Sequence, residues 1–162
     1  MIVVSDASPF NVLVRIGCVN VLPALFGSVI LPPAVVSELS HSGTPDVIRR
    51  WMSEPKTWLT VQAPSHIDTT LRIDDVGEAE AISLAPELKA DLLLADDRKA
   101  RRLAIDRGLT ITGTIGVLEL AAARSLIDLR DAFDRLRQTD FRVADQILQE
   151  ALDRDAKRRS PA

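Results

Sequence analysis

Short, wholly apolar runs alternate along the chain with longer stretches whose apolar residues recur at helical spacing. Ile2-Val3-Val4-Ser5 reads as a buried strand that breaks at Asp6, with Pro9 soon after. Leu13, Ile16, Val19, Leu22 and Leu25 then recur every three positions, close to helical spacing, and Gly17 interrupts them. Val29-Ile30-Leu31 predicts a second strand, and Pro33 opens a helix carrying Val35, Val36, Glu38 and Leu39. Thr44-Pro45 starts another helix towards Trp51, and Trp58 to Val61 predicts a strand. Asp74-Asp75 precede an alanine-rich helix from Gly77 to Ala85, and Asp91 leads into the compact strand Leu92 to Ala95, closed by Asp96-Asp97. A charged helix follows and stops at Gly108; Leu109 to Thr112 reads as a further strand. Helices are expected over Ile115–Arg124, Leu129–Leu136 and Val143–Leu152. Strands alternating with helices mean α/β with a largely parallel sheet, and nearly all-apolar strands mean helices on both faces.

At 162 residues this is one domain's worth of chain. No linker or internal repeat divides it, so residues 1–153 are expected to form the domain and the basic stretch 154–162 a short frayed tail. Cys18 is the only cysteine, which excludes an intrachain disulfide and points to a reducing, cytoplasmic setting. His41 and His66 are too few for a histidine-rich metal site. There is no tyrosine, and four Phe with two Trp do not supply a base-stacking surface. A net charge of −3 gives no bulk attraction to nucleic acid, though a local basic rim stays compatible with it. No 18-residue apolar run is present to cross a membrane, and the opening residues lack the basic stretch and cleavage pattern of a signal peptide.

The chemistry lies in the acids. Parallel α/β sheets bind ligands beyond the carboxyl ends of their strands, and two strands end there in carboxylates: Asp6, and Asp96-Asp97. Glu38 lies on the helix after the second strand, and Glu78 and Glu80 occupy the first turn of the alanine-rich helix. Converging carboxylates repel unless a cation joins them, and oxygen ligands without histidine favour Mg²⁺ or Mn²⁺. Such sites most often serve phosphate chemistry by activating water and neutralising charge on the phosphorus oxygens. Each acid also has a structural reading. Asp6 could cap a helix, Glu38 could be solvated, and one of Asp96 and Asp97 is expected to cap the next helix. Glu78 and Glu80, two apart, point in different directions, so at most one faces fully into a site.

Arg98, Lys99, Arg101, Arg102 and Arg107 share the helix that begins at this acidic edge, where Arg98, Lys99 and Arg102 are candidates for a phosphate backbone. Ser8, Thr112 and Thr114 are auxiliary candidates for orienting water or substrate, with Glu80 as the alternative acid. Gly113-Thr114-Ile115-Gly116 matches neither a P-loop nor a dinucleotide fingerprint.

Five blocks in order carry a resemblance: Val3-Val4-Ser5-Asp6-Ala7-Ser8-Pro9, Pro32 to Glu38, Gly77-Glu78-Ala79-Glu80-Ala81-Ile82, Leu92 to Arg101, and Gly108 to Leu118. Together, over about residues 2–150, the chain resembles PIN-domain proteins of the prokaryotic branch often called predicted nucleic acid-binding proteins. The resemblance implies a three-layer α/β fold with a mostly parallel sheet of about five strands flanked by helices. It also implies a Mg²⁺- or Mn²⁺-dependent endoribonuclease with water as nucleophile. The family's acids fall on Asp6, on Glu38, on Glu78 in preference to Glu80, and on Asp96 or Asp97. Glutamate at the third position stands where many toxin-type members have aspartate. Many relatives are homodimeric toxins silenced by a small antitoxin, so RNA, an antitoxin and a second copy are the partners implied. The rivals are a non-catalytic nucleic-acid-binding or scaffold protein with the same fold, and a small phosphatase. For an aspartyl-phosphate mechanism the second residue after Asp6 is Ser8 rather than aspartate, which disfavours the phosphatase.

Overall fold

Val3, Val4 and Ser5 are all buried because the first strand, β1 (Val3–Ser5), is the central strand of the sheet. In the computed structural model, which describes residues 1–160, five parallel strands lie in the order β3-β2-β1-β4-β5. The others are β2 (Val29–Leu31), β3 (Leu59–Val61), β4 (Leu92–Leu94) and β5 (Ile111–Thr112). Val4 pairs with Ile30 on one side and with Leu93 on the other. The expected three-layer α/β architecture is what the chain adopts.

Alternation along the strands splits the core in two. Val3, Val29, Leu31 and Leu94 face a large core built with α1 (Ala7–Arg15), α2 (Val21–Phe26), α3 (Pro33–Leu39) and α4 (Asp46–Ser53). The same core takes in α7 (Thr114–Ala123), α8 (Leu129–Arg137) and α9 (Asp145–Arg159). Val4 and Leu93 face a smaller core closed by α5 (Val76–Glu87) and α6 (Arg98–Asp106). Phe10, Trp51 and Trp58 pack on one another at the large core, with ring centroids 5.8–6.2 Å apart. Three of the chain's six Phe and Trp side chains are thus spent on packing rather than offered to bases.

Two expectations shift in detail. The apolar repeat from Phe10 to Phe26 becomes two helices, because Gly17 adopts a φ of 74° and turns the chain between them. The segment expected to fray from Arg154 is the end of α9 as far as Arg159. Arg154 forks onto Glu119 at 2.9 and 3.0 Å, and buried Asp155 holds Arg158 and Arg159 at 3.0 and 3.1 Å. The rest of that stretch, residues 161–162, lies outside the described residues.

What matters for function is the point where the connections reverse. From β1 the chain first builds β2 and β3 on one side, then crosses back to place β4 on the other. This opens a crevice at the carboxyl ends of β1 and β4. The Asp6 amide donates to the Leu94 carbonyl at 2.9 Å, which aligns the two strand ends with their following acids.

Candidate functional site

Asp6 follows β1 directly and occupies the position before α1, yet its side chain makes no capping hydrogen bond. It is 4% exposed, and its Oδ1 is buried without a hydrogen-bond partner. Burial pushes its pKa up to about 7, and the charges of Asp75, Glu38 and Asp96 push the same way against the Ala7 backbone amide. A buried carboxylate oxygen with no partner is costly, and a helix cap would have satisfied it.

Around it stand Glu38 and Asp75. Oxygens of Asp6, Glu38 and Asp75 all lie within 4.8 Å of one another, so one cation could touch all three. Glu38 reaches the cluster from α3, and its pKa is raised by partial burial and by Asp75. Asp75 serves a second purpose: its Oδ1 accepts from the Glu78 amide at 2.8 Å and so caps α5. Sequence reasoning passed over Asp75. Its signal was present, as the last acid before a helix, but that is also the signature of an ordinary cap. Gly77 keeps this corner open, since a Cβ there would stand 3.3 Å from Asp75 Oδ1 and 3.6 Å from Glu38 Oε2.

Glu78 and Glu80 separate as their spacing requires. Glu78 lines the same cleft, half-buried, with its pKa raised to about 8 by desolvation first and then by Asp6, Asp97, Asp75 and Glu38. Glu80 turns to α3 instead, where its Oε2 accepts from the Ala34 amide at 2.8 Å. It satisfies an N–H that the start of α3 leaves free, and so anchors the helix that carries Glu38.

The pair after β4 separates too. Asp97 Oδ2 accepts from the Ala100 amide at 2.9 Å, capping α6. Asp96 turns inward, accepting from Ser8 Oγ at 2.9 Å, the Thr114 amide at 2.7 Å and Thr114 Oγ1 at 2.7 Å. It thereby ties α1, β4 and α7 together beside Asp6. Gly113 permits this approach, because a Cβ there would meet Asp96 Oδ1 at 2.6 Å. Thr114 is fully buried in this knot, and Thr112 lies beside Gly116 under the neighbouring surface.

The acids line a cleft of about 480 Å³ that also takes in Ser8, Arg15 and the segment Asp140-Phe141-Arg142. Phe141 and Arg142 are shared with a second, larger hollow, of about 1020 Å³, which Asp96, Arg98 and Arg102 also line. Lys99 does not join them: its Nζ donates to the Arg72 carbonyl at 3.0 Å.

A parallel α/β fold with converging carboxylates at its reversal point defines a class of protein able to hold a cation at the sheet's carboxyl edge. The family model DUF3368, described as a PIN domain, matches residues 2–157, and the chain belongs to this PIN-domain family. Among solved structures, a PilT N-terminus domain protein from the hyperthermophilic archaeon Sulfolobus solfataricus P2 is similar in fold. It is 22% identical, covers 72% of this chain and 90% of its own, and superposes with a TM-score of 0.53. No curated protein matches the chain. Among the described residues, no helix is long and apolar enough to cross a membrane.

Proposed function

We propose that the protein is a divalent-metal-dependent ribonuclease that hydrolyses RNA phosphodiester bonds at the Asp6 cleft. One observation carries the reading: a carboxylate only 4% exposed, with an orphaned oxygen, faces two further carboxylates at cation-sharing distance. The donor set is oxygen only, which suits Mg²⁺ or Mn²⁺ and supports that choice over zinc. Asp6, Glu38 and Asp75 would hold the ion, with Glu78 beside them. A cation bound there would supply a lowered pKa for water and a positive charge to offset the negative charge building on the phosphorus oxygens. RNA as the substrate rests on membership of the PIN-domain family.

The chain's own residues divide the remaining work. Glu80 fixes α3 and with it Glu38, while Asp96 locks the β1 and β4 ends through Ser8 and Thr114. Asp97 caps α6 and acts on the cleft only through its charge on Glu78. Glu78 lines the same cleft beside Asp6, Glu38 and Asp75, where it can complete the ion's shell through water.

The test is cleavage of a mixed panel of labelled RNAs with Mn²⁺, comparing wild type with Asp6→Asn. Cleavage that disappears with the substitution or with EDTA establishes the reading; equal cleavage by both proteins overturns it. The family's habit of toxin–antitoxin pairing and homodimerisation extends the proposal to a growth-arresting role. Expression without the genomic neighbour should then slow growth, and Asp6→Asn should relieve it.

A further inference from the structure

The larger hollow beside the acidic cleft has a composition of its own. Four arginines line it: Arg98, Arg101 and Arg102 from α6, and Arg142 from the segment before α9. Among the described residues, none of the four has an ion-pair partner, whereas eight of the chain's other arginines do. The two carboxylates that line the same hollow are already engaged. Glu119 is held by Arg154 through two hydrogen bonds, and Asp96 by Ser8 and Thr114. Ile105 and Ile147, 58% and 45% exposed, give the same hollow an apolar surface.

We propose that this groove is the track for the strand flanking the cleaved bond: a single-stranded RNA leaves the acidic cleft past Phe141 and Arg142 and lays its phosphates on these arginines. The inference rests on the ribonuclease reading and adds where the substrate runs. All the free cations here are arginine, whose planar guanidinium pairs with phosphate by two bonds and also stacks on bases. Arg98 and Arg102 are one helical turn apart, about 6 Å along α6, so they present successive charges along a line that starts at Asp96. The exposed isoleucines, together with Phe141, offer contact to base faces. Adjacency to the cleft favours RNA over an acidic protein segment, because Phe141 and Arg142 line both hollows. The Arg15–Asp140 ion pair at 2.7 Å holds that dividing segment against α1.

The experiment measures binding of a labelled oligouridine of about twelve nucleotides to proteins carrying Asp6→Asn, so that affinity is read without cleavage. Arg102→Gln with Arg142→Gln is compared with a charge-matched control, Arg50→Gln with Arg130→Gln, whose arginines are unpaired but line neither hollow. The groove pair should weaken binding about tenfold or more, and flatten the salt dependence of log K by about 1.4 for two lost phosphate contacts. The control should stay within about twofold. Mn²⁺ titration of the groove pair in the otherwise native chain, matching wild type, shows that fold and acidic cleft survive the substitutions. Equal losses in the two pairs, or none in the groove pair, overturn the track. An acidic peptide that binds the groove while RNA affinity is unmoved also overturns it, and assigns the surface to a protein partner. The ribonuclease reading fails separately, by absence of Asp6-dependent cleavage in the wild type.

Discussion

The carboxylates of the α5-side hollow and those of the cleft at the sheet's carboxyl edge behave in opposite ways. On the α5 side, a hollow of about 350 Å³ contains Asp68 and Glu87. Asp68 accepts from Thr70 through its amide and hydroxyl and from Arg107 Nε at 2.9 Å, and these bonds lower its pKa to about 2. Glu87 accepts from the Ser65 amide at 2.7 Å. Every charge there has its donor. At the sheet's carboxyl edge Asp6 has an oxygen with none, and its pKa rises to about 7 while that of Glu78 rises to about 8. The difference separates acids satisfied by donors within the fold from acids that the fold brings together without enough donors. An uncompensated buried carboxylate costs stability, so its persistence at one place points to a task there.

The sharpest way to break the contrast is to exchange the acids for amides. Asp6→Asn should abolish Mn²⁺-dependent cleavage, a loss of about a hundredfold or more, and weaken Mn²⁺ binding in a calorimetric titration. Without metal at pH 8 the same variant should melt higher than wild type, because a buried charge has gone. Asp68→Asn should do the reverse, lowering the melting temperature with Mn²⁺ binding intact. If both variants lose metal binding alike, the distinction between the clefts is wrong.

Asp75 tests whether one residue can belong to both categories. Asp75→Ala removes a cap worth about 1 kcal/mol along with a carboxylate of the cluster. Asp75→Ser can keep the cap and lose only the carboxylate. Equal Mn²⁺ weakening in the two, with the stability loss confined to alanine, is the expected pattern. Retention of full metal affinity by the serine variant removes Asp75 from the ion's shell.

Acidity offers a third, smaller handle. Between the ordinary aspartate value of 3.8 and about 7, folded Asp6 keeps a proton that the unfolded chain has lost, and Glu78 does the same from 4.5 to about 8. The unfolded state therefore binds fewer protons, and stability without metal falls as pH rises through that window. Asp68, with its lowered value, contributes stability above 3.8 that disappears only as pH falls towards 2. Thermal melts in EDTA should decline from pH 5 to 8, and Mn²⁺ should raise the melting temperature more at pH 8 than at pH 6. A flat EDTA profile would argue that Asp6 is already compensated.

The smallest effect belongs to Glu80. Glu80→Gln leaves an acceptor for the Ala34 amide but removes its charge, so Mn²⁺ affinity should fall only about two- to threefold through a looser α3. A loss as large as that of Asp6→Asn would place Glu80 in the ion's shell instead.

The alternation of apolar runs with amphipathic stretches was enough to predict the parallel α/β sheet, because strands buried on both faces must be apolar throughout. Asp6 and Glu38 could be named from their places after β1 and on α3, since the carboxyl edge of such a sheet is where side chains from distant segments meet. The basic end of the chain was less legible. Arg154, Arg158 and Arg159 look free in sequence, but their partners Glu119 and Asp155 are brought alongside only when α9 packs and continues its turns.

Sequence alone, then, determined the class of fold and which stretches carry the acids: local periodicity encodes which faces must be buried. Only the tertiary structure decided between neighbours such as Glu78 and Glu80, or Asp96 and Asp97, and brought in Asp75. Adjacent acids have the same chemistry but point in different directions. Whether a carboxylate meets a waiting N–H, as Glu80 and Asp97 do, or an unpaired charge, as Asp6 does, depends on what the packing of another element places opposite it.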